Sequence, residues 1–124
     1  MNDRKRLELL TAYAEERGWH VDFDPTPEEE CDPAQRLISI NGAASARTQV
    51  YALLHELGHA EQPALTGRLF QAGAWGELEA ELDAWVRGWR IAESLSLALP
   101  PRGYQQSARG ALSTYAHYCA GRRA

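Results

Sequence analysis

Two histidines and a glutamate lie close together in the middle of the chain, in the order His55-Glu56-Leu57-Gly58-His59. Imidazoles are common zinc ligands, and a neighbouring carboxylate can take a proton from a water molecule. On an α-helix, positions i and i+4 differ in direction by only about 40°, so both imidazoles could bind one metal ion. Glu56 lies about 100° further round, where it could act on water without ligating the metal. The spacing therefore indicates a site for metal-assisted hydrolysis.

The residues around this motif predict the helix that it needs. Ser45 is a favoured N-cap, and Pro63 places the helix end before residue 63. Between them, apolar residues recur at helical spacing: Val50, Leu53, Leu54 and Leu57. A glycine inside a helix costs about 1 kcal/mol relative to alanine, so Gly58 indicates that another part of the backbone approaches closely there.

A catalytic zinc needs a third protein ligand, and the first half of a second predicted helix, residues 76–97, offers four acidic residues. The apolar face of this helix is defined by residues spaced 4, 3 and 4 apart: Leu78, Leu82, Trp85 and Trp89. On a helical wheel Glu81 borders this face, where its carboxylate could point towards the histidines. Glu77, one turn earlier, is the alternative ligand. Glu79 and Asp83 are expected on a solvated face.

The remaining pattern predicts a mostly helical α+β domain with a small β-sheet before the histidine helix. We expect a first helix over about residues 4–17, strands over 19–23 and 36–41, and a last helix over about 104–121. Residues 24–33 are rich in proline and acids, which favours an exposed loop with an exposed Cys31 thiol. Residues 64–76 contain three glycines and are expected to form a loop beside the site.

Composition excludes several classes of protein. A chain of 124 residues has the size of one domain, so a single core over 1–124 is expected. The net charge of −4 provides no basic surface for nucleic acid. No apolar run approaches the roughly 20 residues that span a bilayer, and the charged N-terminus lacks the apolar stretch of a signal peptide. Two cysteines are too few for a disulfide scaffold. A cytoplasmic protein is the expectation.

The histidine motif, together with Glu81-Leu82-Asp83-Ala84-Trp85, resembles the gluzincin-type zinc metallopeptidases of the ImmA/IrrE class, especially their small phage- or prophage-encoded relatives. The resemblance covers about residues 37–92. It implies a zincin-like fold and zinc as cofactor, with His55, His59 and Glu81 as ligands and Glu56 as general base. It also implies a protein or peptide substrate, for which a regulatory protein such as a repressor is a candidate.

Two positions depart from the family pattern. Asp83 stands where a second glutamate is frequent, and Trp85 stands where an aspartate or asparagine is common. An acid at the latter place orients a histidine ligand in thermolysin-like enzymes, so the partner of the histidines stays unassigned. Such partners are typically worth about 10–100-fold in metal affinity or activity. The donor that would stabilise the reaction's oxyanion is also unassigned among five candidates: His20, Tyr104, Tyr115, His117 and Tyr118.

The sequence thus predicts zinc-dependent hydrolysis of peptide bonds. The alternative is a non-catalytic module, either zinc-binding or a metal-free pseudoenzyme, that acts on a regulatory protein partner. A structural zinc has four protein ligands, whereas a catalytic zinc keeps one coordination position open. The number of protein ligands therefore distinguishes a zinc peptidase from a non-catalytic zinc-binding module.

Overall fold

The computed structural model describes residues 1–25, 28–63 and 74–121, with side chains described for 76–117 in the last segment. These residues form four helices: α1 (Asp3–Glu16), α2 (Ala46–Ala60), α3 (Ala74–Ser94) and α4 (Pro101–Gly121). They also form three strands: β1 (His20–Asp22), β2 (Glu30–Asp32) and β3 (Leu37–Ser39). The predicted α+β class is confirmed. In this part of the chain, no helix combines the length and apolar character that a membrane span requires.

The small sheet has the order β1-β3-β2, with β1 parallel and β2 antiparallel to β3. The expectation of a loop throughout residues 24–33 was wrong for β2, and so was the expectation of an exposed Cys31 thiol. Cys31 pairs with Ile38 and is half-buried against the core. Side chains alternate between the two faces of a strand, so Cys31 can point inward between Glu30 and Asp32. This one inward side chain is sufficient to hold the three-residue edge strand against the core.

The core lies between the sheet and helices α1, α2 and α3, and it includes Leu97 and Leu99 from the segment that follows α3. Its largest fully buried side chains are Leu10, Ile38, Ile40, Val50, Leu53, Leu54, Leu57 and Leu97. Ser45 caps α2 as predicted, since the backbone N–H of Thr48 donates to its Oγ at 3.2 Å. The motif from His55 to His59 therefore lies in the last two turns of a helix whose opposite face is anchored in the core.

Helices α2 and α3 cross with their backbones in direct contact. A Cβ atom on Gly58 would lie 2.0 Å from the carbonyl oxygen of Ala84, and one on Gly88 would lie 2.5 Å from that of Leu54. The close approach predicted from Gly58 is confirmed. Because residue 58 faces 84 while 54 faces 88, the two helices run antiparallel at this crossing.

The predicted apolar face of α3 was partly wrong. Leu82 is 51% exposed, although Trp85 is buried as expected. The buried positions recur at three- and four-residue spacing instead: Ala84, Trp85, Gly88, Ile91 and Ala92. The small residues among them permit the closest helix approach, so α3 is rotated from the face that its leucines define. Of the loop expected over 64–76, residues 64–73 lie outside the described residues and 74–76 belong to α3.

Candidate metal centre

The side chains of His55, His59 and Glu81 converge where α2 crosses α3. Glu81 Oε2 lies 2.6 Å from His55 Nε2 and 3.1 Å from His59 Nε2. One ligand atom from each residue lies within 4.8 Å of those of the other two. All three side chains are at most 20% exposed. This group could hold a metal ion, and it consists of the three ligands predicted from the sequence.

The position of the crossing along α3 selects Glu81 among the acids of that helix. Glu81 lies one turn before the Ala84–Gly58 contact and so faces the histidines directly. Glu77 and Glu79 are exposed and take no part in the group, so the alternative ligand Glu77 is not brought to it. Asp83 was expected on a solvated face, but it is half-buried and accepts a hydrogen bond from Arg87 Nε at 2.7 Å.

Electrostatics within the group favour a bound cation. Burial works to lower the pKa of His59, but the hydrogen bond and charge of Glu81, with Gln62 and Glu56, raise that pKa to about 9. Burial works to raise the pKa of Glu81, yet hydrogen bonds and charges from both histidines hold that pKa well below its usual range. The carboxylate therefore stays ionised between the imidazoles, where a divalent ion could replace a proton.

Glu56 lies beside the group without joining it. The residue is only 5% exposed, and the nearest charged partner of its carboxylate is His55 Nδ1, 3.5 Å from Oε1. Burial raises the pKa of Glu56, against the lowering effect of the histidines' charges. A buried carboxylate with a raised pKa is a better proton acceptor near neutral pH than an exposed one. Glu56 also lines an open cavity of about 340 Å³ that reaches His59 and Glu81.

The hydrogen-bond partner of His59 is Gln62, which the sequence analysis missed. His59 Nδ1 donates to Gln62 Oε1 at 3.0 Å, which leaves Nε2 directed at Glu81. The amide of Gln62 is itself fixed, because its Nε2 donates to the carbonyl of Ala80 at 2.7 Å and to Asp83 Oδ2 at 3.1 Å. The spacing of three residues between His59 and Gln62 is the sequence feature that could have indicated this contact.

Two aromatic residues fix the other ligands. Trp85 stacks on His55 with ring centroids 4.3 Å apart and planes 10° from parallel. A flat contact thus takes the place of the hydrogen bond that an aspartate or asparagine could make. Tyr115 Oη donates to Glu81 Oε1 at 3.1 Å, and burial, with the charge of Glu81, raises the pKa of Tyr115 to about 12. Tyr115 therefore remains a donor at neutral pH.

The other candidates for oxyanion stabilisation lie away from the ligand atoms or outside the described side chains. Tyr104 is buried and donates to the carbonyl of Trp85 at 2.5 Å. His20 and His117 are exposed. Tyr118 lies outside the side chains that the structure describes. Tyr115 thus contacts the candidate metal centre, but through a ligand.

Removing the amide of Gln62 is expected to weaken metal binding. In Gln62→Ala, His59 loses the acceptor that selects its tautomer, and zinc affinity should fall by about 10–100-fold. Competition with a chromophoric chelator measures this affinity. The control is Gln106→Ala, which truncates an exposed glutamine on α4 and should leave affinity unchanged. Equal affinities in both variants would remove Gln62 from the support of the site.

Comparison of the chain with protein-family models, curated proteins and solved structures gives no match. Any assignment of function therefore rests on the geometry around His55, His59, Glu81 and Glu56.

Proposed function

We propose that this protein is a zinc metallopeptidase that hydrolyses peptide bonds. The observation that carries the proposal is the convergence of His55, His59 and Glu81, with the buried carboxylate of Glu56 beside them and outside the ligand set. A structural site has no need of such a carboxylate, whereas hydrolysis of an amide requires a group that accepts and returns a proton.

The donor set suits zinc. Two imidazole nitrogens and one carboxylate oxygen are the protein ligands of a common class of catalytic zinc sites. Zinc–ligand bonds of about 2.0–2.1 Å place the ligands of a tetrahedral site roughly 3.3 Å apart. Glu81 Oε2 lies 2.6 and 3.1 Å from the two Nε2 atoms, and the three ligand atoms all lie within 4.8 Å of one another, so the side chains would have to adjust to reach that spacing. Within the described residues, no fourth histidine, cysteine or acid joins the group, which supports an open coordination position.

Each residue then has a distinct task. Zinc, when bound, supplies Lewis-acid activation of the scissile carbonyl and of a water molecule. Glu56 accepts the proton of that water and transfers it to the departing amine, so the carboxylate is regenerated in each cycle. Trp85, Gln62 and Tyr115 hold His55, His59 and Glu81 in place through the contacts described above. A fixed ligand set avoids the cost of reorganisation during the reaction.

The proposed substrate is a peptide segment of another protein. The cavity beside the group is open and lies between α2, α3 and the edge strand β2, so a chain could enter it from solvent. The resemblance to the ImmA/IrrE class suggests a regulatory protein such as a repressor as the cellular substrate. No step of the proposed reaction requires nucleic acid or membrane.

The experiment that tests the proposal is the metal content of the purified, untagged protein, followed by incubation with a peptide library. We expect one zinc per chain in wild type and none in His59→Ala, because that variant loses a ligand. His117→Ala, which removes an exposed histidine, is the matched control and should retain zinc. Absence of zinc from wild type after incubation with the metal would reject the mechanism and favour the metal-free interaction module. Zinc without cleavage of any peptide would favour the zinc-binding module.

A further inference from the structure

The hydrogen bond of His59 is the last of three that begin on helix α3. Arg87 Nε donates to Asp83 Oδ2 at 2.7 Å, and Gln62 Nε2 donates to the same oxygen at 3.1 Å. Gln62 Oε1 then accepts from His59 Nδ1 at 3.0 Å. All four side chains are half-buried. The helix that carries Glu81 therefore also contacts His59, through an intermediate side chain.

The acceptors around Gln62 determine which way its amide points. Its Nε2 faces the carbonyl oxygen of Ala80 at 2.7 Å as well as the carboxylate of Asp83. A carbonyl and a carboxylate only accept hydrogen bonds, so the reversed amide would place Oε1 against two acceptors. Oε1 must therefore face His59, and the imidazole atom that meets it, Nδ1, must carry a proton. This tautomer leaves the lone pair of His59 Nε2 for a metal ion.

Gln62 depends on α3 for this role because it lies outside α2. That helix ends at Ala60, and the backbone N–H of Gln62 donates to the carbonyl of His59 at 3.1 Å, which keeps the residue beside the imidazole. Ordering a glutamine side chain costs conformational entropy. Asp83 reduces its freedom, since Asp83 is itself held by Arg87 one turn further along the same helix. Without Asp83, a reversed amide would oppose one acceptor instead of two.

We propose that Asp83 is a positioning residue for the zinc ligand His59 and acts on it only through Gln62. This inference rests on the zinc site of the proposed function and adds a residue that supports the site without contacting the metal. The effect should be confined to one ligand, because His55 is held by the stacked ring of Trp85. A direct effect of the Asp83 charge on zinc, or general support of the fold, would give different results in the tests below.

The zinc affinity of a set of variants, measured by chelator competition, tests the route. Asp83→Ala should bind zinc about tenfold more weakly, at the lower end of the range for residues that support a ligand. Asp83→Asn should stay within about threefold of wild type, because its Oδ1 still accepts hydrogen bonds and only the charge is lost. In a Gln62→Ala background, Asp83→Ala should cause no further loss, since the contact through which it acts is already absent. The control Glu79→Ala removes an exposed carboxylate from the same helix and should leave affinity unchanged.

The ring nitrogens of the histidines provide a spectroscopic readout that general destabilisation would not reproduce. In zinc-loaded, nitrogen-15-labelled protein, the Nδ1–H proton of His59 should exchange slowly with solvent in wild type and in Asp83→Asn. In Asp83→Ala that proton should exchange faster, while the ring signals of His55 stay unchanged.

The outcomes separate this inference from the proposed function. Wild-type affinity in Asp83→Ala would overturn the inference even if peptides are cut, and so would a loss of the same size in the Gln62→Ala background. An equal loss in Asp83→Asn and Asp83→Ala would identify a charge effect and also overturn it. The expected pattern in a protein that binds zinc but cuts no peptide would uphold Asp83 in this role and reject the peptidase. Failure of wild type to bind zinc would overturn both.

Discussion

Replacing Glu56 with glutamine is expected to lower kcat/KM for peptide hydrolysis by about 10²–10⁴-fold while zinc binding stays within about twofold of wild type. Glutamine keeps the shape of the side chain but cannot accept a proton. Glu56 lies outside the ligand group, so the metal should not depend on its charge. Because burial raises the pKa of this carboxyl group, the ionised form is disfavoured in the fold, and the neutral amide should not reduce stability.

Parallel measurements of zinc content and cleavage test this expectation. A peptide identified with wild type is incubated with Glu56→Gln, and zinc is quantified by mass spectrometry on the same preparation. The matched control is Glu77→Gln, which neutralises an exposed glutamate on α3 and should change neither quantity. Wild-type cleavage by Glu56→Gln would show that another group removes the proton. Loss of zinc from Glu77→Gln would instead identify Glu77 as a ligand.

Replacing Gly58 with alanine is expected to destabilise the fold by about 2–3 kcal/mol and to weaken zinc binding. The new Cβ would lie 2.0 Å from the carbonyl oxygen of Ala84, which belongs to a rigid helix backbone and cannot yield as a side chain could. Overpacking costs typically 1–3 kcal/mol, and a contact with backbone belongs at the upper end of that range. Separation of α2 from α3 would also withdraw the histidines from Glu81.

Urea unfolding of the metal-free protein measures the first effect, and chelator competition measures the second. Gly110→Ala on α4 is the matched control, because a Cβ there meets no atom within 4 Å. That variant should gain about 0.5–1 kcal/mol from the higher helix propensity of alanine. If Gly58→Ala gained the same stability, the helices would have to be further apart in solution than the crossing described here.

The sequence predicted the chemically central part of the site because that part depends on local periodicity. His55 and His59 are four residues apart on one helix, and Ser45 fixes where that helix begins. The glycine between them predicted a close approach of another part of the backbone, and that part is α3 at Ala84. Glu81 was preferred among four acids on helical phase, even though the assumed apolar face of α3 was inaccurate. The inaccurate choice of apolar face did not change this result, because Glu81 lies on the side of α3 that faces α2.

Only the tertiary structure decided what surrounds and orients the ligands. Ala84 and Gly88 determine how α3 is rotated, because the helices approach most closely where side chains are smallest, whereas hydrophobicity had drawn attention to the leucines. That rotation stacks Trp85 on His55, and the fold brings Tyr115 from α4 to Glu81. Contacts between residues far apart in the chain leave no periodic signal in a single sequence.

The edge strand β2 is a second feature that a single sequence does not reveal. Its two acids and the proline that follows them are typical of a loop when local propensity alone is considered, and pairing with β3 is what makes residues 30–32 a strand. The sequence by itself determined the residue types and helical spacing of the candidate ligands, since these depend on local helix geometry. The structure decided their supporting contacts, because these depend on which distant segments the folded backbone places side by side.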